Sequence, residues 1–195
     1  MRSRPWLAAL WLSVTLSGCG YNQIQSLDER AEEAKSNIGV ELTARNQLIP
    51  NLVATVEGAA EFERGTFTDV AQARSGLQEA EKAVEGAVAS GDVEQISAAD
   101  QALTRQIGTF INVAVESYPQ LSATQNFRAL QDQLAESENR IAVARRDYNE
   151  AAREYNTYIR RFPAAFTAKI TGADRKEPYN APAGSEAAPK VEFGK

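Results

Sequence analysis

The sequence predicts an all-α protein, an elongated antiparallel four-helix bundle, and three observations predict it. Between Gly20 and Arg161 only Pro50 and Pro119 interrupt a chain rich in Ala, Glu, Gln, Leu and Arg, residues that lose little freedom on entering a helix. Apolar residues recur at helical and seven-residue spacing over long stretches, as packed helices require. The breaks between these stretches are short, which favours packing of neighbours within one chain. The rival arrangement is a long coiled coil between chains, and with it a homo-oligomer.

The first long segment spans about 22–63. Ile24, Leu27, Ala31, Ala34, Ile38, Leu42, Ile49, Leu52, Val53 and Val56 follow one stripe. Pro50 sits inside it, where proline removes a hydrogen bond and crowds the carbonyl four residues back. A kink near Pro50 is expected, because the stripe resumes on the same face. Gly65 then breaks the pattern, and Thr66 with Asp69 is placed to cap a second helix. Its seam reads Phe67, Val70, Arg74, Leu77, Val84 and Val88, up to Ala89. Ser90-Gly91-Asp92 is a turn, and Asp92 with Gln95 forms a capping pair for a third helix. That helix is seamed by Ile96, Leu103, Ile107, Phe110 and Ala114 and is closed by Tyr118-Pro119.

The fourth segment, about 124–162, is the most regular. Phe127, Leu134, Ile141, Tyr148, Tyr155 and Phe162 recur every seven residues, with Leu130, Ser137, Ala144, Ala151 and Tyr158 as the companion series. Some 39 helical residues would make a rod of roughly 58 Å. Phe162-Pro163 should end it. Residues 164–195 carry three of the seven prolines and no long periodicity, so a mostly disordered tail is expected there. Val191 and Phe193, near its end, are candidates for docking on the bundle or on a partner. The chain thus divides into 1–18, a helical body over 19–163, and the tail over 164–195.

Composition narrows the chemistry. The chain has no histidine and one cysteine. These absences exclude Ser-His-Asp and Cys-His catalysis, histidine metal sites, thiolate zinc clusters and an internal disulfide. A formal charge of −5 gives the surface as a whole no attraction for nucleic acid.

The lone cysteine has a setting of its own. Arg2 and Arg4 form a basic start, and Trp6 to Leu16 is an almost wholly apolar run of about 11 residues, about half what a membrane span needs. Basic start, short apolar run and small residues have the layout of a secretory signal. Leu16-Ser17-Gly18-Cys19 resembles the lipobox of bacterial lipoproteins. By that resemblance Cys19 is lipidated and residues 1–18 are removed, leaving 19 basic and 26 acidic side chains, a charge of −7. One acyl chain holds a protein only marginally, two or more hold it firmly. A buried small hydrophobe or a catalytic thiol are the other readings of Cys19, and no base or cation lies near it in sequence to activate a thiol. Gly20 rather than aspartate follows the cysteine, which in such lipoproteins favours the outer membrane.

The blocks "GYNQIQSLDE", "NQLIPNLVATVEGAAEFE", "VAQAR", "ESYPQL", "NFRALQDQLAESENRIAVARRDYNEAAREYN" and "FP" occur in that order, with "EAAPKVEF" near the end. In this the sequence resembles the LemA family. The resemblance implies a helical bundle held at its N-terminus to a bacterial membrane by a transmembrane helix or a lipobox. It supplies no catalytic residues to carry over.

Four charged residues stand on or beside the seams: Arg45, Arg74, Glu138 and Arg145. Half-buried charges are costly unless paired, so a structural Arg–Glu network is expected. An anion site between helices is the alternative. Tyr148 and Tyr155 read as core aromatics with hydroxyls at the bundle surface, and the acidic run Asp28–Ala34 reads as a solvated face. The expected function is a non-enzymatic envelope lipoprotein, anchored through lipid on Cys19, that acts as a scaffold for other envelope proteins. It needs no cofactor or metal. The alternative is a small-ligand or peptide carrier using a groove near Arg45 and Arg74.

Overall fold

The computed structural model describes residues 5–63 and 68–180, with side chains over 20–59 and 68–180. Among these residues all regular structure is helical: α1 Pro5–Asn46, α2 Ile49–Glu63, α3 Thr68–Ser90, α4 Val93–Ser117, a 3-10 turn Pro119–Ala123, α5 Gln125–Tyr158 and α6 Ala164–Thr171. The Gly65 break, the Thr66 cap, Phe67, and the docking of Val191 or Phe193 lie outside the described residues. So does the side chain of Cys19. The chain forms two compact units, one of residues up to 41 with 137–178, the other of 42–136 with 179 onward.

In the first unit α1 packs against the later part of α5 in opposite directions. Arg30 pairs with Glu154 at 2.7 Å, and Glu41, further along α1, pairs with Arg140, further back on α5, at 3.0 Å. Ile24, Ala31 and Ile38 on α1 and Ile141, Tyr148 and Tyr155 on α5 are buried at seven-residue steps. Ile24, Tyr155 and Ile159 enclose Ala168 of α6.

In the second unit α3 and α4 form an antiparallel hairpin. The turn needs Gly91, whose φ of +70° lies in the left-handed region that favours glycine. Asp92 caps α4 by accepting from the Glu94 and Gln95 amides at 2.9 and 3.1 Å, and the Gln95 side chain returns to its other oxygen, as its position predicts. Ile96, Leu103, Ile107, Phe110 and Ala114 are all buried. On α3 the buried stripe is Ala73, Leu77, Ala80, Val84 and Ala87, so half of the expected seam is displaced. Val70, Arg74 and Val88 are only half-buried, because the alanines, not the valines, face inward. Small side chains there bring the helices close: a Cβ on Gly76 would lie 3.1 Å from Gln106 Oε1.

Three further expectations are corrected. Around Pro50 the helix breaks rather than kinks: α1 ends at Asn46, Gln47 and Leu48 turn, and α2 begins at Ile49. Pro50 cannot donate to the Asn46 carbonyl and crowds it, but one residue into α2 its missing N–H costs nothing. Ile49, Leu52, Val53 and Val56 stay buried. At the other end α5 stops at Tyr158, short of the expected residue 162. The chain leaves helical phase there, Ile159 takes the buried place, and Phe162 is 93% exposed. Finally, residues 164–180 are not a disordered tail. They form α6 and an extended segment held by hydrogen bonds, and Tyr179 is buried.

Candidate functional site: a docked C-terminal segment and a buried ion pair

In the first unit the segment after α6 is held by side chains of α1 and α5. Gly172 ends α6 with φ +69°, and the chain then runs along α5. Asn156 clamps it twice: its amide donates to the Lys176 carbonyl at 2.8 Å and its oxygen accepts from the Lys176 N–H at 2.9 Å. One helix turn pair earlier, the Tyr148 hydroxyl donates to the Glu177 carbonyl at 2.8 Å. One residue of each Tyr-Asn step of α5, Tyr148 and Asn156, therefore serves a peptide backbone, and the Tyr148 hydroxyl is not at the surface as the sequence suggested. The Lys176 ammonium lies 2.9 Å from Asp28 Oδ1, 2.7 Å from Glu32 Oε1 and 5.2 Å from the Tyr155 ring centre. The acidic run of α1 is thus a partner for Lys176 as well as a solvated face.

The electrostatics of this cluster follow from two opposed effects. Burial disfavours the Glu32 carboxylate, but hydrogen bonds from Lys176 and Lys35, with their charges, outweigh it and hold Glu32 below its ordinary value. Burial likewise disfavours the Lys176 ammonium, but its hydrogen bonds to Glu32 and Asp28, with their charges, hold it above its ordinary value. Burial raises Tyr148 and Tyr155, the latter helped by the Asp28 charge, so both phenols remain donors at neutral pH. The Glu32 contribution is complete above its unfolded pKa of about 4.3 and is lost as pH falls through the folded value. The Lys176 contribution is complete below its unfolded pKa of about 10.4 and is lost as pH rises through the folded value. Amide-exchange protection of Lys176, corrected for the intrinsic rate, is therefore expected to be level from about pH 5 to 10 and to fall on both sides. A steady change across neutrality would show that other groups hold the segment.

In the second unit, Arg45 continues the seven-residue step of Ile24, Ala31 and Ile38 and is 2% exposed. It donates to Asp100 Oδ1 at 2.8 Å and to Thr104 Oγ1 at 3.0 Å. The other Asp100 oxygen accepts the Tyr179 hydroxyl, and beside it Ser97 donates to the Asn180 carbonyl at 3.1 Å. Asp100 and Ser97 are fully buried. Sequence reasoning missed Asp100 as the partner, yet a signal was present: Asp100 stands seven residues before Ile107 and fourteen before Ala114, in register with their seam.

The other singled-out charges fall in different places. Arg145 pairs with Glu138 along α5 at 3.2 Å, half-buried in the first unit. Arg74 is 43% exposed and pairs with Glu57 in the second. A groove of about 780 Å³ in the second unit runs between α2 and the start of α5. Asn51, Thr55, Gly58, Thr124, Asn126 and Gln133 are among its lining, and Arg45 and Arg74 are not. Among the described residues no group of acids could hold a metal ion, and no helix is long and apolar enough to cross a membrane.

The chain is similar to magnetosome proteins MamQ 1 and MamQ 2 of Paramagnetospirillum magneticum, each 30% identical over 173 residues, covering 80% of this chain and 63% of the relative. It is also similar to magnetosome protein MamQ of Magnetospirillum gryphiswaldense, at 29% over 175 residues, or 82% and 64%. The chain thus spans just under two thirds of the length of these curated relatives. The LemA family model matches residues 34–193, a span that holds Arg45, Asp100, Asn156, Lys176 and Tyr179 and leaves out the apolar start. On that match, over most of its length, the chain belongs to the LemA family.

Proposed function

We propose that the protein is a membrane-associated envelope lipoprotein of non-enzymatic character, anchored through lipid on Cys19, whose helical body is a scaffold for other envelope proteins. Residues 1–18 are its export signal and the body works outside the cytoplasm, on the outer rather than the inner membrane given Gly20. The packed α3–α4 hairpin supports reading the body as the antiparallel four-helix bundle that the sequence predicts. The observation that carries this reading is the order of features on α1. A short apolar run and Leu-Ser-Gly-Cys lead directly, within one helix, into the packed stripe that starts at Ile24. The buried charges support a structural rather than a catalytic role, since Arg45, Asp100 and Lys176 bind other parts of the same chain. The magnetosome naming of its relatives is consistent with work at a membrane.

Metabolic labelling with a radioactive fatty acid tests the anchor. The parent chain is expected to carry label, to lose residues 1–18 and to sediment with membranes. Cys19→Ser is expected to lose the label and to keep residues 1–18. A parent chain without label, or a serine variant labelled equally, overturns the reading.

A further inference from the structure

Helix α6 packs inside out. Its alanines Ala164 and Ala168 are buried, at 4% and 5% exposure, and Ala168 packs against Ile24, Tyr155 and Ile159. Its large apolar side chains face water: Phe166 is 70% and Ile170 71% exposed, and Phe162, one turn before, is 93% exposed. Phe166 and Ile170 are four apart and share one face of α6, and Phe162 stands in the turn just before that helix. Burying alanine while exposing phenylalanine and isoleucine forfeits most of the apolar area the segment could remove from water. A clustered apolar face of this kind marks a contact surface.

Charge identifies what covers it. From Tyr158 to Gly172 the chain carries Arg160, Arg161 and Lys169 and no acid, within a protein that is acidic overall, and all three basic residues are exposed. Apolar side chains interleaved with cations fit an anionic bilayer surface, where the rings enter the interface and the cations meet headgroups. Position agrees. A Cβ on Gly20 would lie 3.6 Å from Thr167 Oγ1, so α6 lies beside the part of α1 that follows Cys19.

We propose that α6 is a membrane-docking element: Phe162, Phe166 and Ile170 insert into the interfacial layer of an anionic bilayer, and Arg160, Arg161 and Lys169 bind its lipid headgroups. This adds a second contact to the anchoring reading of Cys19, on which it rests for the nearness of the membrane. The contact sets the orientation of the first unit on the surface, which a flexible lipid tether alone leaves free.

The test uses the full lipidated chain in vesicles of phosphatidylglycerol and phosphatidylethanolamine. Both tryptophans, Trp6 and Trp11, lie within the removed residues 1–18, so a single reporter is introduced as Phe166→Trp, Ile170→Trp or, for comparison, Val143→Trp. Val143 is an exposed α5 residue roughly 22 Å along that helix from its end. Brominated phospholipids are expected to cut emission from positions 166 and 170 about two-fold, as insertion by ~5–10 Å implies, while iodide quenches only position 143. Vesicle flotation is read in parallel. If the chain floats but iodide reaches all three positions equally, this inference fails and the anchor stands. If positions 166 and 170 are shielded from both quenchers, protein covers the face and the inference fails. A chain that does not float overturns the anchor and the docking together.

Discussion

Replacing Asp100 by alanine is expected to cost about 3–5 kcal/mol, the usual consequence of removing one member of a buried ion pair. Arg45 is 2% exposed and cannot turn its guanidinium to water without leaving the core. After the substitution it keeps Thr104 but loses its counter-charge, and the Tyr179 hydroxyl loses its acceptor. For a chain of this size the melting temperature should drop by about 6–20 °C, read by far-UV circular dichroism. The double variant Arg45→Met with Asp100→Leu is expected to recover most of the loss, because an apolar pair of similar volume avoids the desolvation both charges suffer. A single variant that melts with the parent would show that the pair adds nothing to the fold.

Replacing Asn156 by alanine is expected to release the segment around Lys176. It removes two hydrogen bonds at once and leaves the Lys176 N–H and carbonyl without their partner. The loss should be about 2–3 kcal/mol. It should appear as amide exchange at Lys176 and tryptic cleavage at Arg175 and Lys176 that are about 30–150-fold faster. The helices should keep their ellipticity. Tyr148→Phe removes the single bond to Glu177 and should give the same change at roughly a tenth of the size. Cleavage of Asn156→Ala at the parent's rate would show that Lys176 and Tyr179 suffice to hold the segment.

The helices were legible because their signal is local. Apolar period, capping pair and proline position all lie within a few residues of what they determine. Asp92 with Gln95, the Gly91 turn and the α4 seam came through for that reason. The α3 seam was partly misread because alanine carries a weak hydrophobic signal, and Ala73, Ala80 and Ala87 were outweighed by Val70 and Val88. The docked segment was not legible at all. Its backbone makes no periodic pattern, and its partners are Asn156, Tyr148 and Asp28, residues common on solvated faces. Of the candidate ion pairs, Arg45 was found by its register but not matched to Asp100. A seam shows which residues turn inward, and it does not show which helices meet there.

The Tyr179–Asp100 contact joins residues 79 apart. A nascent protein therefore has Arg45, Asp100 and their helices in hand well before the phenol that completes the carboxylate exists. A chain cut ahead of Tyr179 would lose this hydrogen bond to a fully buried acid, so the segment after α6 contributes to the core of the second unit.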